Sequence, residues 1–142
     1  MEEILKFRFS NKKLMDLSHK IRYNVFVIGQ NCPEEVEWEF EEESIHFLLI
    51  CNKKPVATAR YRKTKKGYKL ERFAVPKNER KKGYGHIILN AILNELKNKK
   101  SKIYLHAQTQ VIDFYKKIGF YIVGDEFEEA GIKHYEMQLA QN

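Results

Sequence analysis

Between its middle strand and its longest helix the chain reads Val75-Pro76-Lys77-Asn78-Glu79-Arg80-Lys81-Lys82-Gly83-Tyr84-Gly85-His86. The residue types in this stretch suit one task, holding phosphate. Ile87, Ile88, Ala91, Ile92, Leu93 and Leu96 follow at helical spacing, which sets Gly83 and Gly85 at a helix N-terminus. Such a terminus has N–H groups without intrahelical acceptors and a partial positive charge. Glycine lacks a Cβ, so an anion can come close to the backbone. Arg80, Lys81 and Lys82 concentrate positive charge at the same point. The ligand implied is a small molecule carrying a polyphosphate. There is no Gly-x-x-x-x-Gly-Lys-Ser/Thr run, which argues against a Walker nucleotidase. Ile88 stands where a dinucleotide fingerprint needs its third glycine. Taken alone, the same residues also describe a helix start with two turn glycines and solvated lysines.

The elements around this loop follow from periodicity. Leu5 to Phe9 alternates apolar and basic residues, as a strand does. Ser10 or Asn11 can cap a helix whose Leu14, Leu17, Ile21 and Val25 run to about Ile28. Gly29 to Ser44, with Pro33 and a run of glutamates, reads as loop or a polar helical turn. Ile45 to Cys51 is an apolar run of strand length. Asn52-Lys53-Lys54 turns it into a strand from Val56 to Arg62, and Lys65-Lys66-Gly67 turns again into Tyr68 to Val75. After the long helix come a strand at Ile103 to Ala107, a short helix bearing Val111, Phe114, Tyr115 and Ile118 and stopped by Gly119, and strands at Phe120 to Val123 and His134 to Leu139. The order β-α-β-β-β-α-β-α-β-β predicts an α/β (α+β) fold, a mixed, mainly antiparallel sheet with helices on both faces. No repeat, low-complexity tract or Gly/Ser linker divides the chain, so residues 1–142 are expected to form a single domain.

Composition bounds the setting. A chain of 142 residues with 43% hydrophobic and 32% charged residues is that of an ordinary globular domain. No apolar run approaches the roughly 20 residues of a membrane span. The opening Met1-Glu2-Glu3-Ile4-Leu5-Lys6 lacks the order of a signal peptide, so a cytoplasmic location is expected. Cys32 and Cys51 are too few and too far apart for a disulfide framework or a zinc knuckle; two reduced thiols and no metal are expected. The net charge of +7 is unevenly spread. Residues 34 to 43 hold seven Glu and no Lys or Arg, whereas Arg62 to Lys82 hold ten Lys or Arg against two Glu. Two partners of opposite charge would explain both stretches. Nucleic acid would explain only the basic one and is not the partner expected.

The loop Arg80-Lys81-Lys82-Gly83-Tyr84-Gly85, after the strand Glu71-Arg72-Phe73-Ala74-Val75 and before a long helix, resembles the Gln/Arg-x-x-Gly-x-Gly/Ala signature of the GCN5-related N-acetyltransferases (GNAT). Phe114-Tyr115-Lys116-Lys117-Ile118-Gly119-Phe120 is similar to that family's Phe-Tyr-x-Lys-x-Gly-Phe segment, at compatible spacing. Arg22-Tyr23-Asn24-Val25-Phe26-Val27, Gln30-Asn31-Cys32-Pro33, Leu105-His106-Ala107-Gln108 and Glu126 to His134 resemble a small bacterial branch of largely unassigned substrate. Gly29 stands where that branch commonly has Glu. The resemblance implies an acetyl-CoA-dependent N-acetyltransferase acting on a small-molecule or peptide amine by direct attack in a ternary complex. A non-catalytic acyl-CoA-binding sensor on the same fold is the other reading. Monomer and homodimer both stay open.

The resemblance also assigns roles. The backbone of Phe73, Ala74 and Val75 would pair with the pantetheine amides, and the N–H groups from Lys81 to Gly85, Tyr84 included, would hold the pyrophosphate beside Arg80 and Lys82. Gln108 would face the pantetheine arm where many relatives have Asn. An amine of pKa about 10.4 is only about a thousandth neutral near pH 7, so a base must help. Glu71 alternates with Phe73 and Val75, so the three share one strand face, and it is the candidate. A carboxylate paired with Lys69 or Arg72 describes it equally, and His106 and His134 are alternatives. Tyr115 would protonate the departing thiolate; from pattern alone it is a helix aromatic packed on the sheet. The glutamate run, with Glu37, Trp38 and Phe40, would border the acceptor and draw a cationic amine, or be a solvated acidic loop.

Overall fold

The computed structural model describes residues 2–30 and 38–141. Its strands form a seven-stranded sheet in the order β1-β2-β3-β4-β5-β7-β6: β1 Glu2–Phe7, β2 Ile45–Cys51, β3 Lys54–Thr64, β4 Gly67–Ala74, β5 Ile103–Gln108, β6 Phe120–Glu129 and β7 Ile132–Leu139. The helices are α1 Lys12–Arg22, α2 Tyr84–Leu96 and α3 Ile112–Ile118. The mixed sheet and the element order are those the sequence predicts. Among the described residues no helix is long and apolar enough to cross a membrane. Two compact units divide the chain, residues 1–62 with 72–99 and residues 63–71 with 100–142.

In the first unit, Asn11 caps α1 by accepting the Leu14 amide at 3.2 Å. His19, Lys20 and Arg22 in the last turn suit the negative end of the helix dipole. The chain then continues as a π-helical stretch, Tyr23–Ile28. β1 and β2 pair antiparallel from Glu2↔Cys51 to Phe7↔His46. Asn52 and Lys53, at φ 51° and 67°, make the tight two-residue turn that matches the twist of β2 and β3. Phe7, Met15, Ile21, Val25, Leu48 and Ala74 pack into one core cluster. α2 contributes Ile88, Leu89, Ile92 and Leu96, all essentially removed from water. Each such side chain stabilises the fold by about 1.5–3 kcal/mol.

This core also encloses charge. Arg22 and Arg60 are fully buried, and Glu41 Oε1 accepts from Arg22 Nη2 at 2.5 Å and from Arg60 Nη1 at 2.7 Å. Glu41 Oε2 lies 3.1 Å from His19 Nε2. Burial works to raise the Glu41 pKa. The hydrogen bonds from His19 and Arg22 and the charges of Arg22 and Arg60 outweigh it and bring the carboxyl down to about 2. His46, fully buried and stacked on Phe7, donates Nε2–H to the Glu41 carbonyl at 3.0 Å. Burial pulls its pKa below the ordinary value.

The second unit holds the parallel pair β4–β5, which runs from Tyr68↔Ile103 to Leu70↔Leu105 and stops there. Gly67 has no substitute at the start of β4: a Cβ there would lie 2.3 Å from the Lys102 carbonyl oxygen. β7 pairs antiparallel with both β5 and β6. β6 is longer than the predicted Phe120 to Val123. It passes an irregularity between Val123 and Phe127, at Gly124 (φ 84°), and runs on to Glu129. Leu70, Ile103, Tyr104, Leu105, Ala107, Tyr115, Phe120 and Met137 are the buried apolar residues of this unit.

Both Glu41 and His46 bind protons less readily folded than unfolded, so each contributes stability at neutral pH that is lost on acidification. The His46 share falls away below about pH 6.5. The Glu41 share falls between about pH 4.5 and about 2. Glu41→Gln, which leaves two buried guanidiniums without this counter-ion, is predicted to cost about 3–5 kcal/mol at pH 7. Urea unfolding of the two proteins between pH 7 and 4 checks this: the difference should narrow toward the acid end.

Candidate active site

In the first unit, β4 ends at Ala74 and Pro76 starts a short 3₁₀ turn, Lys77–Glu79, before α2 begins. Gly83 caps α2 in the left-handed region at φ 84°, and a Cβ built on it would meet nothing within 4 Å. The space in front of the α2 N-terminus is therefore open, and Gly83 is there for its backbone conformation, not for want of room. Lys81 also takes a left-handed φ of 67°. An anion placed here meets the first N–H groups of α2 and the helix dipole.

The loop is held from within by Glu79, which is buried although its neighbours are exposed. Its carboxylate takes Lys54 Nζ at 2.6 Å and Lys82 Nζ at 3.0 Å. Those two hydrogen bonds lower its pKa against the opposing effect of burial. The Arg80 Nε donates to the Val75 carbonyl at 3.0 Å. Two of the three cations expected on phosphate thus also brace the loop, and the Val75 carbonyl already accepts a bond of the chain's own. Tyr84 donates its hydroxyl to Cys51 Sγ at 3.4 Å, which ties the first residue of α2 to the end of β2.

On β4, Arg72 adopts φ 58°, so the regular pleat assumed for Glu71, Phe73 and Val75 is broken at that point. Phe73 and Ala74 lie beyond the last β4–β5 pair. Trp38 packs on α1, 4.4 Å from the His19 ring and 5.1 Å from the Arg22 guanidinium, and Phe40 lies 3.8 Å from that of Arg62. Glu41 belongs to the buried arginine network, which corrects the expectation of a wholly solvated or acceptor-facing acidic run. Glu37 lies outside the described residues.

The second unit brings most of the remaining candidates onto one face of β4, β5, β6 and β7. Glu71 is buried and its Oε2 meets Lys69 Nζ at 3.2 Å. His106, across from Glu136 in the β5–β7 ladder, directs Nδ1 at Glu129 Oε1, 3.0 Å away, and Nε2 toward Glu136 Oε1, 3.5 Å away. His134, across from Gln108, donates Nδ1–H to the Ile132 carbonyl at 2.7 Å and has Nε2 3.9 Å from Glu129 Oε2. Gln108 Oε1 accepts from Gln110 Nε2 at 2.6 Å. Lys69 is the partner the sequence offered for Glu71, whereas Glu129 and Glu136, which meet His106 here, were not singled out as candidates. The spacing of Glu136 two residues after His134 in a strand was the available signal, since it puts both on one face.

Tyr115, in α3, is buried between Phe114 and Phe120, whose rings stand edge-on at 5.1 and 5.8 Å. Burial pushes its phenol pKa well above the ordinary value, so it stays protonated at neutral pH.

Comparison with known proteins gives consistent matches. Residues 14–141 match the model of the acetyltransferase (GNAT) domain. The chain is 40% identical over 131 residues to the uncharacterized N-acetyltransferase YjcF of Bacillus subtilis, an alignment that covers 89% of this chain and 93% of that protein. The structure is similar to that of Escherichia coli ElaA, with a TM-score of 0.87 and 25% identity over 99% of this chain and 100% of the other. An aminoglycoside 6'-N-acetyltransferase complexed with coenzyme A shares the fold at a TM-score of 0.76 and 18% identity, over 96% and 95% of the two chains.

Glu79→Gln removes the charge that holds Lys54 and Lys82. Amide hydrogen exchange at Lys81 to Gly85 is predicted to accelerate roughly tenfold, as local opening becomes easier, while exchange in β5 and β7 stays as it was. Mass-spectrometric exchange of the two proteins tests it.

Proposed function

The chain belongs to the GNAT family of acetyltransferases, and we propose that its own reaction is acetyl-CoA-dependent acetylation of a primary amine by direct attack in a ternary complex. The observation that carries this reading is Gly83, left-handed and open at the N-terminus of a 13-residue helix. That arrangement suits a pyrophosphate, and Arg80, Lys81 and Lys82 supply the counter-charge. β4 runs on to Ala74 past its last pair with β5, which supports Phe73 and Ala74 extending their hydrogen bonding to the pantetheine amides. The coenzyme A held by the aminoglycoside acetyltransferase of like fold points the same way. Residues 1–142 are read as one acetyltransferase domain.

Acetyl-CoA supplies the acetyl group as a thioester. Tyr115 holds its proton at neutral pH and is the group proposed to donate it to the departing thiolate sulfur. Gln108, at the end of β5, is proposed to face the pantetheine arm. Glu71 is tied to Lys69 and is proposed to orient the acceptor, directly or through water. His134, of the same unit, is proposed to border the amine with it.

Acetyl-CoA at a hundredfold excess over its dissociation constant should stabilise the protein by about 2.7 kcal/mol. Gly83→Asp puts bulk and negative charge where the pyrophosphate would lie and should abolish that gain; an unchanged gain would mean the loop is misassigned. A panel of primary amines, followed by thiol release, tests the transfer itself. Binding without turnover on any amine would leave the sensor reading in place.

Tyr115→Phe keeps the ring and removes the proton. Turnover should fall roughly a hundredfold, with acetyl-CoA affinity nearly unchanged. An unchanged rate across pH, with chemistry limiting, would return Tyr115 to a packing role.

A further inference from the structure

His106 is the one imidazole of the second unit whose two ring nitrogens both face carboxylates. Glu129 is ionised: its hydrogen bond with His106 lowers its pKa, with help from the charges of Lys69, His106 and His134, against burial. A carboxylate only accepts, and Glu129 at 3.0 Å is nearer to Nδ1 than Glu136 at 3.5 Å is to Nε2, so the geometry favours neutral His106 with its proton on Nδ1 and the lone pair on Nε2. The Nε2 points toward Glu136, 3.5 Å away. Burial would raise the Glu136 pKa, but the hydrogen bond and charge of Lys66, and the charge and hydrogen bond of a protonated His106, keep it low. An imidazolium formed by protonating Nε2 would thus lie between two carboxylates. His106 is about one-fifth exposed, whereas His134 is buried.

Resting on the acetyltransferase reading, we propose that His106 is the general base of this enzyme and that His106 Nε2 with Glu136 forms the subsite for the acceptor's primary ammonium group. Glu129 is a positioning residue that fixes the tautomer. The proton of the ammonium passes to Nε2. The neutral nitrogen forms its bond to the acetyl carbon as the C–S bond breaks, the thiolate takes the Tyr115 proton, the second proton shed by the nitrogen as it becomes an amide restores the Tyr115 phenol, and His106 later returns its proton to water. Products are the amide, free thiol and one proton.

The other groups on this face fit a cationic acceptor. β4 brings Lys69 and Glu71, paired with each other; the β3–β4 turn brings Lys66, 2.7 Å from Glu136. β5 brings Tyr104, its ring 6.1 Å from His106. β6 brings Glu129 and the Phe127 ring, edge-on at 5.0 Å, and β7 brings Glu136 and His134. With both imidazoles neutral, three carboxylates face two ammonium groups. This places the attraction for the acceptor on β6 and β7, not on the Glu34–Glu43 run.

Nitrogen-15 NMR of the histidine rings tests this without turnover. In the free enzyme His106 should be the Nδ1–H tautomer above its pKa. In Glu129→Ala it should shift toward the Nε2–H form. 1,4-Diaminobutane at low ionic strength, used as the ammonium probe, should move the His106 resonances in a saturable way, and Glu136→Gln should weaken that response at least tenfold. With the best amine from the thiol-release panel, kcat/KM should fall with unit slope as pH drops below the NMR-measured pKa of His106. His106→Gln should lower kcat about a hundredfold and remove that limb, with acetyl-CoA affinity unchanged. An Nε2–H tautomer in the parent, no response to diaminobutane, or a His106→Gln rate within threefold of the parent overturns the proposal. Absence of turnover on every amine strikes the transfer reading instead, and leaves the tautomer and probe results to decide the subsite.

Discussion

Two arginines cannot enter the interior of so small a chain without an anion to accompany them. Arg22 and Arg60 do enter it, and the bonds Glu41 makes to both are the constraint on which the first unit is built. The charge is expensive to bury, and the pair gains mainly by fixing geometry. Glu41 Oε1 holds the last residue of α1 against the middle of β3. Its carbonyl fixes the His46 ring of β2, and that ring packs on Phe7 of β1. A helix and three strands are thereby set in one arrangement by a side chain that lies in no regular element.

Glu79 shows the same logic on a smaller scale. A phosphate loop needs positive charge, and packed cations repel one another and disorder the backbone that must carry them. A buried carboxylate beneath the loop holds Lys82 and Lys54 without filling the space above Gly83. The carboxylate balances Lys82 of the loop and Lys54 of β3 from within, which favours one arrangement of the loop backbone. Preformed sites bind at lower entropic cost.

The fold was legible because it rests on local signals. Helical spacing marked α1, α2 and α3, apolar runs of strand length marked the sheet, and the turns at Asn52-Lys53 and Lys65-Lys66 were written in turn residues. The second half of β6 was not, because Gly124-Asp125-Glu126 interrupts its pattern while the ladder to β7 resumes beyond it. Arg72 was opaque for a different reason: a left-handed residue in a strand is imposed by the surrounding sheet, and nothing in its side chain announces it. The loop Arg80 to Gly85 is contiguous and could be read whole. The His106–Glu129 and Arg22–Glu41–Arg60 arrangements join residues about twenty positions apart, and no periodicity reports such a pairing. Arg60 did carry a faint sign, since a cation within the run Val56-Ala57-Thr58-Ala59 requires a buried partner.

These pairings change what a count of charges means. Seven glutamates in ten residues suggest a negative surface, yet at least one of them, Glu41, is spent inside, where it projects no field to solvent. Glu71 and Glu79 are likewise occupied by lysines. Glu129 meets the His106 ring, which solvent can reach, and Glu136 faces the same ring while holding Lys66; Glu41 meets His19 but is pinned as well by two buried guanidiniums. A carboxylate bound to a lysine has a fixed partner over the whole neutral range. One bound to an imidazole has a partner whose charge changes with a single proton, so the field at that point depends on proton transfer. A proton moving onto or off His106 therefore changes the field at both Glu129 and Glu136.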